Sequence, residues 1–168
     1  SHRGPDNSSA IKHRNLEIRH WRLAIVDLTN NSDQPIENED SIFAYNGEMY
    51  EHNNWTTNRN LRGDTRKVLE LAQSLKSAFK LLDEPGFFSF INYRKNENKI
   101  LAGRDKFGKK PLYYYFDNEK LILSSEEQGI LPFINKVQYN KESLNNYFLY
   151  KERFFGKTIF RGIKEVVP

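Results

Sequence analysis

The 168-residue sequence predicts an α+β fold, and three features point there. Short apolar runs rich in aromatic and β-branched residues recur between turn signals, one segment with helical spacing interrupts them, and further helical stretches follow. Strands gathered in blocks, rather than alternating one by one with helices, build antiparallel sheets with helices set apart. No internal repeat or low-complexity linker divides the chain, and 38% hydrophobic residues over this length suit one domain with a core of its own.

From residue 15, "NLEIRHWRLAIVDL" reads as a strand region leading into the turn-rich "TNNSDQP". "SIFAYNGEMY" (41–50) starts as a strand and is interrupted at Asn46-Gly47, the strongest turn signal in the chain. The Asn-rich "EHNNWTTNRNLRG" reads as loop. Asp64 then stands where an N-cap would, before "TRKVLELAQSLKSAF", whose Val68, Leu71, Leu75 and Phe79 share a helical face and carry the helix to about residue 80. Four runs, 87–93, 99–105, 112–116 and 119–124, form an antiparallel meander separated by short polar turns. "SEEQGIL" and "NKESLNNYFLYKE" read as helical, and the tail "GKTIFRGIKEVVP" follows.

Composition excludes several chemistries. With no cysteine in the chain, disulfides, thiolate metal sites and a cysteine nucleophile from these residues all drop out. His2, His13, His20 and His52 lack metal-ligand spacing, so no metal is expected and surface or packing roles are assigned to them. "GRDKFGKK" lacks the glycine-rich phosphate cradle, so ATP binding by this segment is not expected. Net charge is +4 with basic and acidic residues interspersed, and Tyr113, Tyr114 and Tyr115 beside Lys109 and Lys110 read as core packing with one exposed ring rather than a nucleic-acid surface. The longest apolar runs are far too short to span a membrane and the N-terminus lacks a secretion pattern, which makes a cytoplasmic location the expectation.

Three places could carry chemistry. Asn46-Gly47 is chiefly a hairpin former, but a strand ending there could also aim an amide side chain and a backbone N–H at one point, as an oxyanion hole requires. Arg22 is a charge inside an apolar strand, and a guanidinium there must meet a carboxylate: Asp27 of the protein, or a ligand's. Glu48, and Asp64 besides its cap role, could hold an ammonium group. Converging, these residues would form a receptor for an α-amino acid whose side-chain carbonyl is attacked.

The pieces then match a family. "HRGPD" (2–6), "RLAIVD" (22–27), "QP" (34–35), "YNGEMYEH" (45–52), "GD" before a helix (63–64), "LAGRDKFGKKPLYY" (101–114) and "SSE" (124–126) stand in an order that resembles class II glutamine amidotransferase domains, in the version of glutamine-dependent asparagine synthetases. The resemblance implies an αββα sandwich of two antiparallel sheets, the N-terminal nucleophile hydrolase fold. It also implies glutamine hydrolysis to glutamate and ammonia, with the ammonia passing to a synthetase domain that amidates aspartate or a related carboxylate. Position by position, Arg22 would bind the glutamine carboxylate with the backbone of Ile25 and Val26 nearby, Glu48 and Asp64 the amino group, and Asn46 and Gly47 the oxyanion. No cofactor is expected in this domain; ATP and magnesium belong to the synthetase domain. Glutamine and a synthetase domain or protein are the expected partners, nucleic acid and membranes are not, and a homodimer is left open.

The sequence also departs from the family. The nucleophile there is an N-terminal cysteine on a first strand well before "HRGPD", with its own amine as general base. Ser1 stands just before "HRGPD", too far along to replace it. The expectation is therefore a domain incomplete at its N-terminus and inactive as these residues alone, with 1–154 as the glutaminase domain and 155–168 as the start of the connection onward. The Asn46–Asp64 connection is short, and Arg66 occupies the family's acidic position two after Asp64. A degenerate, non-hydrolytic scaffold or amino-acid-binding module is the alternative reading, and a nucleic-acid-binding domain resting on a pI near 9.2 is the weaker rival.

Overall fold

The computed structural model describes residues 4–24, 33–50, 64–151 and 156–168. Its described residues form an α+β fold with antiparallel sheets, as the sequence predicts. β1 (Asn7–His13) and β2 (Leu16–Arg22) make a two-stranded sheet. β3 (Ile36–Glu37), β4 (Ser41–Met49), β5 (Gly86–Arg94) and β6 (Lys99–Arg104) lie side by side in that order. In the third sheet β7 (Tyr113–Phe116) is flanked by β8 (Leu121–Ser124) and β9 (Ile163–Glu165).

Alternation along β4 and β5 gives the central sheet two apolar faces, because successive side chains of a strand point to opposite sides. Phe43, Tyr45, Met49, Phe88 and Phe90 pack on one face against Val68, Leu69, Ala72 and Leu81. On the other, Ile42, Ala44 and Tyr93 meet Ile18 of β2. Full burial of each such large side chain stabilises the fold by about 1.5–3 kcal/mol.

The helical segment is shorter than its apolar spacing predicts. α1 (Asp64–Leu71) ends early, and a Ser74–Ser77 capping box starts a second short helix, α2 (Leu75–Ala78), which runs into a 3-10 turn over Phe79–Asp83. The buried face is Val68, Leu69 and Ala72, whereas Leu75 and Phe79 are exposed. Ser74 Oγ accepts the Ser77 N–H while Ser77 Oγ accepts the Ser74 N–H, and this reciprocal cap starts the second helix.

The expected meander is divided between sheets. β5 and β6 pair in the central sheet while β7 and β8 pair in another, and the chain crosses between them after Arg104. Asp105 organises the crossing: its carboxylate accepts the backbone N–H groups of Phe88, Phe107, Lys109 and Lys110 at 3.0–3.2 Å. Burial raises the Asp105 pKa, but those four amides outweigh it and hold the carboxyl below its ordinary value.

"SEEQGIL" folds as 3-10 turns over Glu127–Gly129 and Leu131–Phe133, and α3 spans Lys141–Tyr150 with Asn140 as its N-cap. The tail, expected as the start of a connection, supplies β9. Arg104 ties it down, donating to Glu165 at 2.6 Å and to the Val166 carbonyl at 2.9 Å.

Candidate functional site

The Asn-Gly turn expected in the middle of β4 does not form. The strand runs straight through Asn46 and Gly47, with Asn46 opposite Ser89 and Gly47 opposite Phe88. Glycine is required here by close approach rather than by turn geometry. A Cβ at Gly47 would lie 2.2 Å from the Phe87 carbonyl oxygen and 2.7 Å from the Phe88 Cα.

Strand pairing decides where the Gly47 amide points. Tyr50 donates to Pro85 and Lys95 donates to Asp40, so the even-numbered residues of β4 bond toward β5. Odd-numbered residues therefore turn their N–H and C=O groups to the opposite edge. β3 covers that edge only at Phe43. Beyond it, side chains replace the strand. The Tyr45 N–H donates to Gln34 Oε1 at 2.5 Å, the Tyr45 carbonyl faces His20 Nε2 at 3.2 Å, and the Met49 N–H donates to Asp64 Oδ2 at 3.2 Å. Between these anchors stands Gly47, whose N–H takes no partner among the described residues.

Asn46 and Glu48 extend to the face that also carries Ala44, and that face floors a cavity of about 910 Å³. All five described candidates, Arg22, Asn46, Gly47, Glu48 and Asp64, line it. Ile25, Val26 and the expected ion-pair partner Asp27 lie outside the described residues. β2 and β8 form the two sides of the cavity, and among the described residues each is paired along one edge only, to β1 and β7 respectively. Most of the trough between them is apolar, with Leu16, Ile91, Ile100, Leu112 and Leu123 along it, and the charged candidates gather toward one end.

The individual groups are firmly held. Arg22 is buried and pairs with Asp33 at 2.6 Å, and Asp33 in turn accepts from Asn7 at 2.7 Å. Asp64 is the first residue of α1, but its Oδ2 serves β4 rather than capping, accepting from the Tyr45 hydroxyl at 2.9 Å as well as from Met49. Burial, then the Asp64 carboxylate, then Glu48 drive the Tyr45 phenol far above its ordinary pKa, so it remains an O–H donor. Arg66 is not among the lining residues.

Sequence reasoning missed His20, Gln34 and Tyr45. His20 was given a packing or surface role, yet it lies two residues before Arg22 on the same face of β2 and lines the cavity. Period-2 alternation from Arg22 is the signal that finds it. Burial lowers the His20 pKa, and the Arg22 cation adds to this against the raising effects of the Tyr45 carbonyl and Asp33. Among the described residues no group of three His, Cys, Asp or Glu side chains could hold a metal ion.

This arrangement can seat a zwitterion: a cation for a carboxylate, carboxylates for an ammonium, and an amide side chain beside an unclaimed backbone N–H for a developing negative oxygen. Residues 1–168 match the family model for a glutamine amidotransferase domain. The chain is 27% identical to asparagine synthetase [glutamine-hydrolyzing] 1 of Bacillus subtilis, over 99% of this chain and 28% of the relative. It is 33% identical to putative asparagine synthetase [glutamine-hydrolyzing] 2 of Methanocaldococcus jannaschii, over 88% of this chain and 34% of that one. Amidase chyE of Penicillium rubens is 29% identical over 99% of this chain and 25% of its own length. The chain thus spans about a quarter to a third of the length of these curated relatives.

Proposed function

Because the chain belongs to the glutamine amidotransferase domain family, we propose that it is the glutaminase part of a longer asparagine-synthetase-like protein with the N-terminal nucleophile hydrolase sandwich. The observation that carries this reading is that Asn46, with its amide side chain, and Gly47, whose backbone N–H takes no partner among the described residues, line the same cavity as Arg22, Glu48 and Asp64. Arg22, oriented by Asp33, takes the glutamine α-carboxylate. Glu48 and Asp64 take the ammonium. The side-chain carbonyl then points at Asn46 and Gly47, whose donors stabilise the oxyanion as a nucleophile attacks.

None of these residues is a cysteine, so the attacking atom comes from outside them. The apolar trough between the single-paired edges of β2 and β8 supports an extended segment as its carrier, with main-chain hydrogen bonds available on both sides. Ammonia released at the corner feeds ATP- and magnesium-dependent amidation of aspartate or a related carboxylate elsewhere in the protein, in the cytoplasm.

The test compares the full-length protein with residues 1–168 alone. The full-length protein releases glutamate from glutamine and loses at least about 100-fold in kcat on Asn46→Ala. The 168-residue chain releases none above blank, and steady turnover by it overturns the assignment of the nucleophile. Glutamine binding without turnover in the full-length protein assigns the domain instead to the non-hydrolytic, amino-acid-binding reading.

A further inference from the structure

We propose that His20 is a positioning residue for the oxyanion hole, holding the Tyr45–Asn46 peptide in place through its Nε2–H bond to the Tyr45 carbonyl. This rests on the reading of Asn46 and Gly47 as the oxyanion donors.

Among the described residues no strand lies on the outer side of β4 past Phe43, and there the Tyr45 N–H and C=O take the side chains of Gln34 and His20 as partners. Buried backbone groups of this kind must be paired, and these two bonds do it from separate segments. The carbonyl that His20 holds belongs to the peptide unit that carries the Asn46 N–H. Fixing that plane fixes the direction in which the Asn46 side chain leaves the strand, one residue before Gly47. The Tyr45 hydroxyl bond to Asp64 clamps the same residue at its far end. Tyr45 is thus held at three points, and of these the His20 contact is the one on the peptide shared with Asn46, fixing its carbonyl side while the Asn46 N–H on its other side bonds toward β5.

The chemistry of the ring agrees. A carbonyl can only accept, so the Tyr45 oxygen requires the proton on Nε2. Nδ1 is then an acceptor, buried and without a hydrogen-bond partner. Protonation would put a second N–H there with nothing to receive it, beside the Arg22 cation on β2. The facing groups are Arg22, Asp33, which pairs with Arg22, and the Tyr45 backbone on β4, with Glu48 of β4 and Asp64 of α1 on the same cavity wall. Burial and Arg22 push the pKa down against the smaller upward pull of the Tyr45 carbonyl and Asp33, so the ring is neutral at pH 7.

The experiment uses the full-length protein and two substitutions. His20→Leu removes the donor, while His20→Gln keeps an N–H that can reach the same carbonyl. His20→Leu is expected to lower kcat for glutamine hydrolysis by about 10- to 100-fold with KM within threefold, because misplaced oxyanion donors are felt mainly in the transition state. His20→Gln is expected to restore most of the rate, and to lack the acid limb that the native protein shows below the ordinary histidine value of 6.5. Equal losses in both variants, or a raised KM with unchanged kcat, overturn the proposal in favour of packing or direct substrate contact. If the native protein does not hydrolyse glutamine, the reading of the site fails and not this one. The Nε2–H tautomer and the Asn46 and Gly47 amide shifts, followed by 15N NMR, then decide: an Nδ1–H tautomer, or amide shifts unmoved by His20→Leu, overturns it.

Discussion

Replacing Asp105 by alanine should loosen the centre of β5, and the structure allows the size of the effect to be worked out. The carboxylate accepts four backbone N–H groups, but they differ in what replaces it. Phe107 and Lys109 are exposed, so water reaches their amides when the carboxylate is gone, and the loss there is small. Phe88 is only 2% exposed, and its N–H is left unpaired. An unsatisfied buried donor costs about 1–3 kcal/mol, and the loss of charge-assisted bonds to the loop adds about 1 kcal/mol. The sum is about 3 kcal/mol, which corresponds to exchange at Phe88 on the order of 100-fold faster. Amide hydrogen exchange over residues 86–94 of the full-length protein reads this directly. Acid supplies a second check. The folded-state pKa of Asp105 is depressed, so its contribution is full above the unfolded value of 3.8 and fades as pH falls through the lower folded value. Protection of Phe88 should therefore survive at pH values where an ordinary aspartate is already protonated. An alanine variant whose Phe88 exchanges within fivefold of the native rate would refute the argument that Asp105 anchors the strand opposite Gly47.

Two further substitutions probe the corner itself. Gly47→Ala places a methyl 2.2 Å from the Phe87 oxygen, so β4 and β5 must separate. Stability should fall by about 1–3 kcal/mol in urea titrations, and glutamine turnover by about 100-fold. Turnover within threefold of native would remove Gly47 from the oxyanion hole. Tyr45→Phe deletes one hydrogen bond to Asp64 and leaves the Met49 bond in place. Steady-state kinetics should show KM for glutamine raised about fivefold, equivalent to ~1 kcal/mol, with kcat little changed; a fall in kcat at constant KM would contradict an ammonium-binding role for Asp64.

The parts of the site that were legible are those whose residue type announces a need. Arg22 within an apolar strand had to meet a carboxylate and does, although the partner is Asp33 and the expected Asp27 lies outside the described residues. Glu48 and Asp64 line the same cavity as Arg22. Asn46-Gly47 was misleading as structure. The dipeptide carries a local turn preference, but pairing with Ser89 and Phe88 along a nine-residue strand outweighs it. Tertiary pairing could not be read from one chain. Nothing local says that β6 and β7 part company, because the four amides that Asp105 gathers come from both sides of the crossing. His20 was missed for the same reason, since its role depends on β3 being only two residues long.

The short β3 leaves β4 with a row of edge groups that could template the growth of another chain. Exposed edges of this kind drive aggregation unless something blunts them. Among the described residues Gln34, His20 and Asp64 occupy the hydrogen-bonding positions that a foreign strand would need, leaving one gap, at Gly47. A gap one residue wide can receive a single oxygen atom but cannot start a ladder. The side chains that flank the Asn46-Gly47 corner thus also cap the strand edge, and sequence changes that loosen the corner should be expected to expose that edge.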